Sequence, residues 1–304
     1  MVIEGNAESL LESFYRGWLR PGDCAVDVGA HTGRHTIPLA ETVAPEGSVF
    51  SFEPLPFAAG TLSTRLNNAG LVSVVRLERA AVAEVQGNAT FVVALDRPEE
   101  SGLRERAFYN GETRTQRISV HVTTLDLSIP KDARVRFLKI DVEGGEWGVL
   151  RGAESLIHRC QPAIGFEFSA RAAAAFGTTP NDLFDWLAQR GYVIFDLRGH
   201  RHSRDSFADR CGTAMIWDYL AVLDGTHAIE AKKLLEQAYR TSIVAAKDER
   251  SDADYVAQCY RELLGREPDE GGLVYYVGLL ETHGWTRDEI AAMLRNSDEY
   301  RLRR

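Results

Sequence analysis

The sequence predicts an α/β protein, a doubly wound and mostly parallel sheet, followed by a small all-helical module. Three observations carry this. Short apolar runs alternate with helical stretches from Pro21 to about Leu223, the pattern of strand–helix units feeding one sheet. The first apolar run ends in an acidic residue and opens at once into a glycine-spaced turn, Asp27-Val-Gly29-Ala-His-Thr-Gly33. Beyond Leu223 the character changes, because Ala228–Lys247 contains neither glycine nor proline and apolar residues then recur at helical spacing.

Taken in order, the expected strands are Cys24–Val28, Ser48–Glu53, Val72–Leu77, Arg136–Asp141, Ala163–Phe168, Tyr192–Leu197 and Met215–Leu223. Helices are expected from about Arg34 to Thr42, over Gly145–Arg159 and over Asn181–Arg190. Between Asn88 and Asp126 the rhythm breaks. Ala89–Leu95 and Ile118–Thr123 alternate or run in β-branched residues, which predicts a β-hairpin-like insertion with a flexible tip near Pro98–Thr115. Insertions of this length beside a ligand pocket often shape substrate binding. The division expected is a sheet domain over 1–225, a helical linker over 226–250 and a module of two to three helices over 251–304. Gly265, Pro268, Gly271, Gly272 and Gly284 punctuate that module.

Composition narrows the function. A chain of 304 residues with 44% hydrophobic and 26% charged residues is ordinary for a globular protein. A net charge of −9 argues against a general nucleic-acid binder. Cys24, Cys160, Cys211 and Cys259 are scattered with no C-x-x-C pair, so reduced structural thiols are expected rather than zinc or redox chemistry. The acidic stretch Met1–Ser13 lacks the pattern of a secretory signal, and no apolar run has membrane-spanning length. A cytoplasmic location is the default expectation.

The chemistry concentrates at strand ends. The D-x-G-x-x-x-G spacing is neither a dinucleotide fingerprint nor a P-loop. Its glycines let a ligand approach the backbone, and the helix start offers N–H groups. The acidic residue suits a ligand with a cationic amine. Val49-Phe-Ser-Phe-Glu53-Pro54 places a carboxylate at the second strand's tip, where it can accept two ribose hydroxyls. Phe137-Leu-Lys-Ile-Asp141-Val-Glu143-Gly-Gly-Glu146 places three carboxylates in six residues at another strand end. A structural reading stays open there, in which Glu143 or Glu146 caps the following helix. Ligands in such sheets bind at the carboxyl ends of the strands, so one pocket could collect Asp27, Glu53, Asp141 and Glu167.

These motifs resemble the FkbM family of S-adenosylmethionine-dependent methyltransferases. The resemblance runs through Asp27–Gly33, Phe52-Glu-Pro54, Ala80-Ala-Val82, Thr124-Leu-Asp126, Lys139–Glu146, Leu150–Ala153 and Pro162–Glu167, covering roughly Gly22–Glu167. The chain departs from it at His31, usually Asn in the family, and at Arg34 and His35, often aromatic there. The resemblance implies a class I methyltransferase sheet of seven strands with the last antiparallel. It implies S-adenosylmethionine held by Asp27, Gly29, Ala30, His31, Gly33, Thr36, Glu53, Pro54 and Ala81. It also implies O-methylation of a sugar or polyketide-like hydroxyl, with Asp141, Glu143 and Glu167 as the catalytic carboxylates.

Methyl transfer to a hydroxyl needs alignment, which contributes roughly 7–11 kcal/mol, and removal of the hydroxyl proton, worth about 10²–10⁴-fold. A carboxylate at the Asp141/Glu143 turn or Glu167 can take that proton. Alternatively, Asp141 and Glu167 bind Mg²⁺, which lowers the hydroxyl's pKa. His35 is read as a packing residue in preference to a base. The basic run Arg198-Gly-His-Arg-His202 with Arg204 is read as solvated loop charge, with a grip on an anionic sugar or phosphate carrier as the alternative.

The run Tyr260-Arg-Glu-Leu-Leu-Gly-Arg-Glu-Pro-Asp269, with Gly272-Leu-Val-Tyr-Tyr276 and Ser297-Asp-Glu-Tyr300, resembles a small bacterial helical module of unknown function. Its members often accompany glycan-modifying and surface proteins. It implies a saccharide or glycolipid acceptor and self-association or partner contact through the module. Tyr255, Tyr260, Tyr275, Tyr276 and Trp285 fit a helical core more readily than sugar stacking. Two other readings remain: a secondary-metabolite hydroxyl as acceptor, and a non-catalytic binding or assembly role on the same scaffold.

Overall fold

The computed structural model describes residues 7–105, 113–212, 218–247, 251–282 and, near the end, 290, 291, 293, 294, 297 and 299. Its contacts divide the chain into two compact units, Met1–Tyr239 and Arg240–Arg304. The first unit is a seven-stranded sheet with helices on both faces. Its strands are β1 (Cys24–Val28), β2 (Ser48–Phe52), β3 (Val75–Glu78), β7 (Val135–Ile140), β8 (Ala163–Glu167), β9 (Tyr192–Asp196) and β10 (Asp218–Leu223), in the spatial order β3-β2-β1-β7-β8-β10-β9. All neighbours are parallel except β10, which runs antiparallel to both β8 and β9. The strand order reverses between β1 and β7, so the crevice at their carboxyl ends is the natural ligand site.

The central strands are buried on both faces, and their side chains alternate between two cores. Cys24, Val26 and Val28 join one core with α5 (Glu146–Arg151), α6 (Glu154–Cys160) and α8 (Pro180–Gln189). Ala25 joins the other, with α1 (Ala7–Trp18), α2 (Thr36–Val43), α3 (Pro56–Ala69) and the first part of α10 (Thr226–Lys247). The period of two also puts Asp27 on this second face. Register then fixes its company: Ser51 of β2 and Lys139 of β7 stand directly beside it. A polar row therefore crosses three mostly apolar strands.

Several expectations shift. α1 was not anticipated, yet Leu10, Leu11, Phe14, Tyr15 and Trp18 are an amphipathic stripe and all are buried. The helix expected from Arg34 begins at Thr36. The helix expected over Gly145–Arg159 breaks into α5 and α6 at Gly152–Ala153, where the Gly152 carbonyl accepts the Asp126 N–H at 2.9 Å. Asp126 caps the second half, accepting the N–H groups of Ser155 and Leu156 at 2.9 and 2.8 Å. α4 (Leu125–Ser128), α7 (Ala170–Ala174) and α9 (Arg204–Gly212) complete the helices of this unit.

The insertion is a three-stranded sheet rather than a bare hairpin. β4 (Ala81–Val82) pairs parallel to β6 (Thr115–Thr123), and β5 (Gly87–Ala94) antiparallel to it. Its apolar face (Phe91, Val93, Val120 and Val122) packs on Leu55 and Ala58. The tip expected near Pro98–Thr115 falls partly on 106–112, outside the described residues.

α10, expected as a linker over 226–250, begins inside the first unit's core through Ala228, Ala231 and Leu235. The second unit holds α11 (Asp252–Cys259), a π-helical turn Tyr260–Leu264 and α12 (Glu270–Thr282). Val256, Tyr260, Leu264, Ile290 and Leu294 form its core, with Tyr255 and Tyr276 packed against it and Tyr275 exposed. Trp285 lies outside the described residues. Among the described residues no helix is long and apolar enough to cross a membrane.

Candidate active site

A cleft of about 270 Å³ opens at the carboxyl ends of β1, β2, β7 and β8. One end is built by the turn after β1. Gly29 has φ +82°, and a Cβ there would lie 1.7 Å from the carbonyl oxygen of Asp141, so only glycine lets the β1 and β7 ends close together. Gly33, at φ +94°, abuts Leu62 in the same way. Within the turn, Gly29 and Ala30 donate their N–H groups to Phe52, and Gly33 donates to Ala30.

Glu53 faces the cleft while only 4% exposed. Its Oε2 accepts the N–H of His31 and its Oε1 that of Leu55, both at 2.7 Å. Burial pushes its pKa up to about 7 against the pull of those donors. Each oxygen keeps a further lone pair, so the group can still accept ligand hydroxyls.

Asp27 is fully buried and does not line the cleft. Its Oδ2 accepts the Thr36 hydroxyl at 2.6 Å, and Thr36 in turn meets Ser51 at 3.2 Å. Lys139 Nζ lies 3.8 Å from Asp27 Oδ1 and 3.1 Å from Asp141 Oδ2. Burial opposes the lysine's charge, but Asp141 and Asp27 outweigh it and raise the pKa above the usual range. Burial also raises Asp27, with Lys139 opposing. Asp27 thus faces an ammonium and the start of α2. Thr36 and Gly33 also sit behind the cleft wall; Gly29, Ala30, His31, Glu53, Pro54 and Ala81 line it.

Asp141, Glu143 and Glu167 line the other end together. Glu143 has φ +61° and Gly144 beside it φ +101°, and a Cβ on Gly144 would lie 2.6 Å from the Ala172 carbonyl oxygen. Glu146 is buried beneath this turn, and its Oε1 accepts the N–H groups of Val142 and Gly144. Burial raises Glu146 to about 7. It holds the turn itself, accepting from residues ahead of α5, whose N-cap Gly145 has no side-chain cap.

Glu167 ends β8, and the antiparallel β10 sets Asp218 directly opposite it. Burial, then the charges of Asp141 and Glu143, push Glu167 well above the carboxylate range; Asp218 rises to about 7 by burial and then Asp141. Sequence reading missed Asp218, since only the direction of β10 brings it there. It also passed over Lys139, although a lysine inside the apolar run Phe137–Ile140 signals buried carboxylate partners. The Mg²⁺ expectation for Asp141 and Glu167 finds no donor set: among the described residues no group of three or more His, Cys, Asp and Glu could hold a metal ion. Lys139 already stands against Asp141 where such an ion would bind.

The insertion supplies the outer wall through Phe91, Pro98, Glu99, Ser101 and Leu103. Gly102 rests against Glu143, a Cβ built on it lying 3.6 Å from the Glu143 Cβ. His31, at φ +45°, packs edge-on against Phe57, and burial lowers its pKa, leaving Nε2 enclosed without a partner. The basic run after β9 is paired locally: His200 with Asp196, Arg201 with Asp224 and Arg204 with Asp185.

Comparisons with known proteins match two stretches of the chain to family models. Residues 27–194 match the model of the methyltransferase FkbM domain, and residues 242–303 match a domain of unknown function, DUF4214. An FkbM methyltransferase from Methylobacillus flagellatus is similar at 18% identity and a TM-score of 0.43, over 69% of this chain and 50% of that one. The O-methyltransferase TomG from Streptomyces achromogenes, solved with S-adenosylmethionine and involved in tomaymycin synthesis, shares 15% identity over 74% of this chain and 82% of its own, with a TM-score of 0.41. An rRNA methylase from Streptococcus thermophilus shares 12% over 71% and 95%, at 0.39. The present chain spans about half the length of the first of these, and none of the curated proteins matches it. The family match covers more than half of the 304 residues and includes both ends of the cleft, so the chain belongs to the FkbM methyltransferase family.

Proposed function

We propose that this protein is an S-adenosylmethionine-dependent O-methyltransferase acting on a hydroxyl of a saccharide, a precursor of a surface polysaccharide or glycolipid. The observation that carries the reading is one cleft with a backbone-held carboxylate at one end and mutually repelling carboxylates at the other. The residues present fit the cofactor. Glu53 keeps lone pairs for ribose hydroxyls, and Gly29, which lines the cleft, lets the β1 and β7 ends close together beneath it. When bound, the cofactor supplies an electrophilic methyl group on a sulfonium.

The chain's own part is to align the acceptor oxygen and remove its proton. Glu167, raised by burial and by Asp141, holds a proton affinity suited to a general base. Asp141 is fixed by Lys139 and Glu143 by the Gly144 turn, so either can orient the hydroxyl. A neutral amine needs no base, so a carboxylate cluster favours a hydroxyl. Glu99 and Glu143 beside Phe91 and Leu103 suit a polyol, whose hydroxyls donate to carboxylates and whose C–H faces pack on apolar walls.

The test is transfer of labelled methyl from S-adenosylmethionine to nucleotide sugars, lipid-linked glycans and polysaccharide extracts. Asp141→Asn, Glu143→Gln and Glu167→Gln serve as controls. Labelled product from a saccharide, lost in at least one variant that still binds cofactor, supports the reading. Transfer only to non-saccharide hydroxyls moves the acceptor class. No cofactor binding by calorimetry overturns the enzyme.

A further inference from the structure

The outer wall of the cleft is a strap pinned at several points. After β5 the chain makes a 3₁₀ turn over Pro98–Glu100 and folds back, so that Val92 and Gly102 exchange both backbone hydrogen bonds, at 2.8 and 3.0 Å. Ser101 Oγ accepts the N–H of Ala94 at 3.0 Å, and Arg97 pairs with the buried Glu100 at 3.2 Å. Further along, Gly102 rests against Glu143, and the Arg104 guanidinium lies over the Phe176 ring at 5.6 Å. The strap therefore abuts the end of the cleft that holds the reacting carboxylates. Pro98, Glu99, Ser101 and Leu103 are the strap residues that line the cleft.

Glu99 differs from the other three. It is exposed, and among the described residues no hydrogen bond or ion pair holds its carboxylate. Its charge reaches His31 in the turn after β1. The cations among the described lining residues are Arg34 and Lys139, and both are engaged elsewhere. Arg34 meets Glu8 at 3.0 Å and Glu12 at 2.6 Å, and Lys139 meets Asp141 at 3.1 Å and Asp27 at 3.8 Å. A hydroxyl or an ammonium can donate to the Glu99 carboxylate. An anion beside it would meet like charge and find no cation to pair with. We infer that Glu99 selects the acceptor by charge: the sugar ring that enters beneath the strap is uncharged or carries an ammonium, and a ring bearing a carboxylate or phosphate is rejected. The inference rests on the saccharide reading above and narrows it. It disfavours nucleotide sugars, whose pyrophosphate is attached to the ring itself, and favours a neutral or amino sugar.

The experiment measures labelled methyl transfer from S-adenosylmethionine to three glycosides that differ in charge: methyl glucoside, methyl glucosaminide and methyl glucuronide. In the unmodified protein, kcat/KM for the glucuronide should lie at least about tenfold below that for the glucoside, with the glucosaminide equal to the glucoside or better. Glu99→Gln should raise the glucuronide relative to the glucoside by about fivefold or more. Glu99→Lys should raise it further and depress the glucosaminide. Both variants should bind S-adenosylmethionine within about twofold of the unmodified protein by calorimetry, as expected for an exposed substitution in an intact fold. Added salt should shrink the discrimination of the unmodified protein and leave that of Glu99→Gln flat, a response that a packing role would not give. Equal kcat/KM for glucuronide and glucoside, or ratios unmoved by both substitutions, would overturn the inference alone. No transfer to these glycosides or to the glycans tested above, from protein that binds S-adenosylmethionine, overturns the saccharide reading and this inference with it.

Discussion

At the β1–β2 end of the cleft, Asp27 and Glu53 are held by protein donors: Thr36 for the first, the His31 and Leu55 amides for the second. At the β7–β8–β10 end, the side chains of Glu167 and Asp218 make no hydrogen bond among the described residues, and both feel the charge of Asp141. Burial raises carboxylates at both ends, but with opposite consequences. A carboxylate tied to protein donors keeps a fixed position. A carboxylate surrounded by carboxylates keeps a proton affinity, which is what a base requires. Lys139 stands between the two sets and neutralises part of each.

Removing that cation should have the largest effect. Lys139→Met leaves Asp27 and Asp141 without their ammonium, and breaking a buried pair typically costs about 3–5 kcal/mol. Thermal unfolding should show the loss growing as pH rises, since the stranded carboxylates can be relieved by protonation only at low pH. A loss independent of pH would mean that Lys139 acts by packing alone.

Glu167→Gln should come next, lowering kcat by about 10²-fold with cofactor affinity nearly intact. In the unmodified enzyme kcat should rise with pH as Glu167 sheds its proton, because its pKa is raised. The variant should lose that rise. If kcat keeps its pH profile in Glu167→Gln, the base is another group.

Glu53→Ala should weaken S-adenosylmethionine by at least about tenfold, in line with about 1.5–3 kcal/mol for a charged hydrogen bond. Asp27→Asn should change affinity much less, because Asp27 does not line the cleft. Equal losses in calorimetry would erase the distinction between a wall residue and a floor residue.

The smallest effect is expected at Glu146. Glu53, Glu146 and Asp218 are each raised to about 7. The folded chain therefore holds protons that the unfolded chain has released. Their stabilising contribution is complete below the unfolded carboxylate pKa of roughly 4 and is lost as pH climbs through 7. Glu146→Gln keeps an oxygen for the Val142 and Gly144 amides and removes the charge. It should flatten the fall in melting temperature between about pH 5 and pH 8 while leaving kcat within about twofold. A large loss of kcat would move Glu146 into the catalytic set.

The sequence by itself determined the layers, the strand ends and the family. Periodicity follows burial, so Cys24–Val28 and Ala163–Phe168 declare themselves as strands. Asp27, Gly29, Glu53 and Asp141 declare themselves because turns and ligands tolerate few substitutes. Tertiary structure decided what each carboxylate does. Asp27 and Glu53 look alike as acids at strand ends, yet the alternation of β1 turns one under α2 while the tip of β2 presents the other to the cleft. Glu143 and Glu146 stand three residues apart in one motif, and only the tight turn at Gly144 sends one outward and buries the other. Asp218 stands opposite Glu167 only because β10 runs against its neighbours. A residue's type limits its chemistry, but its proton affinity and partners come from strand direction, register and burial, which chain-distant segments fix only when they pack.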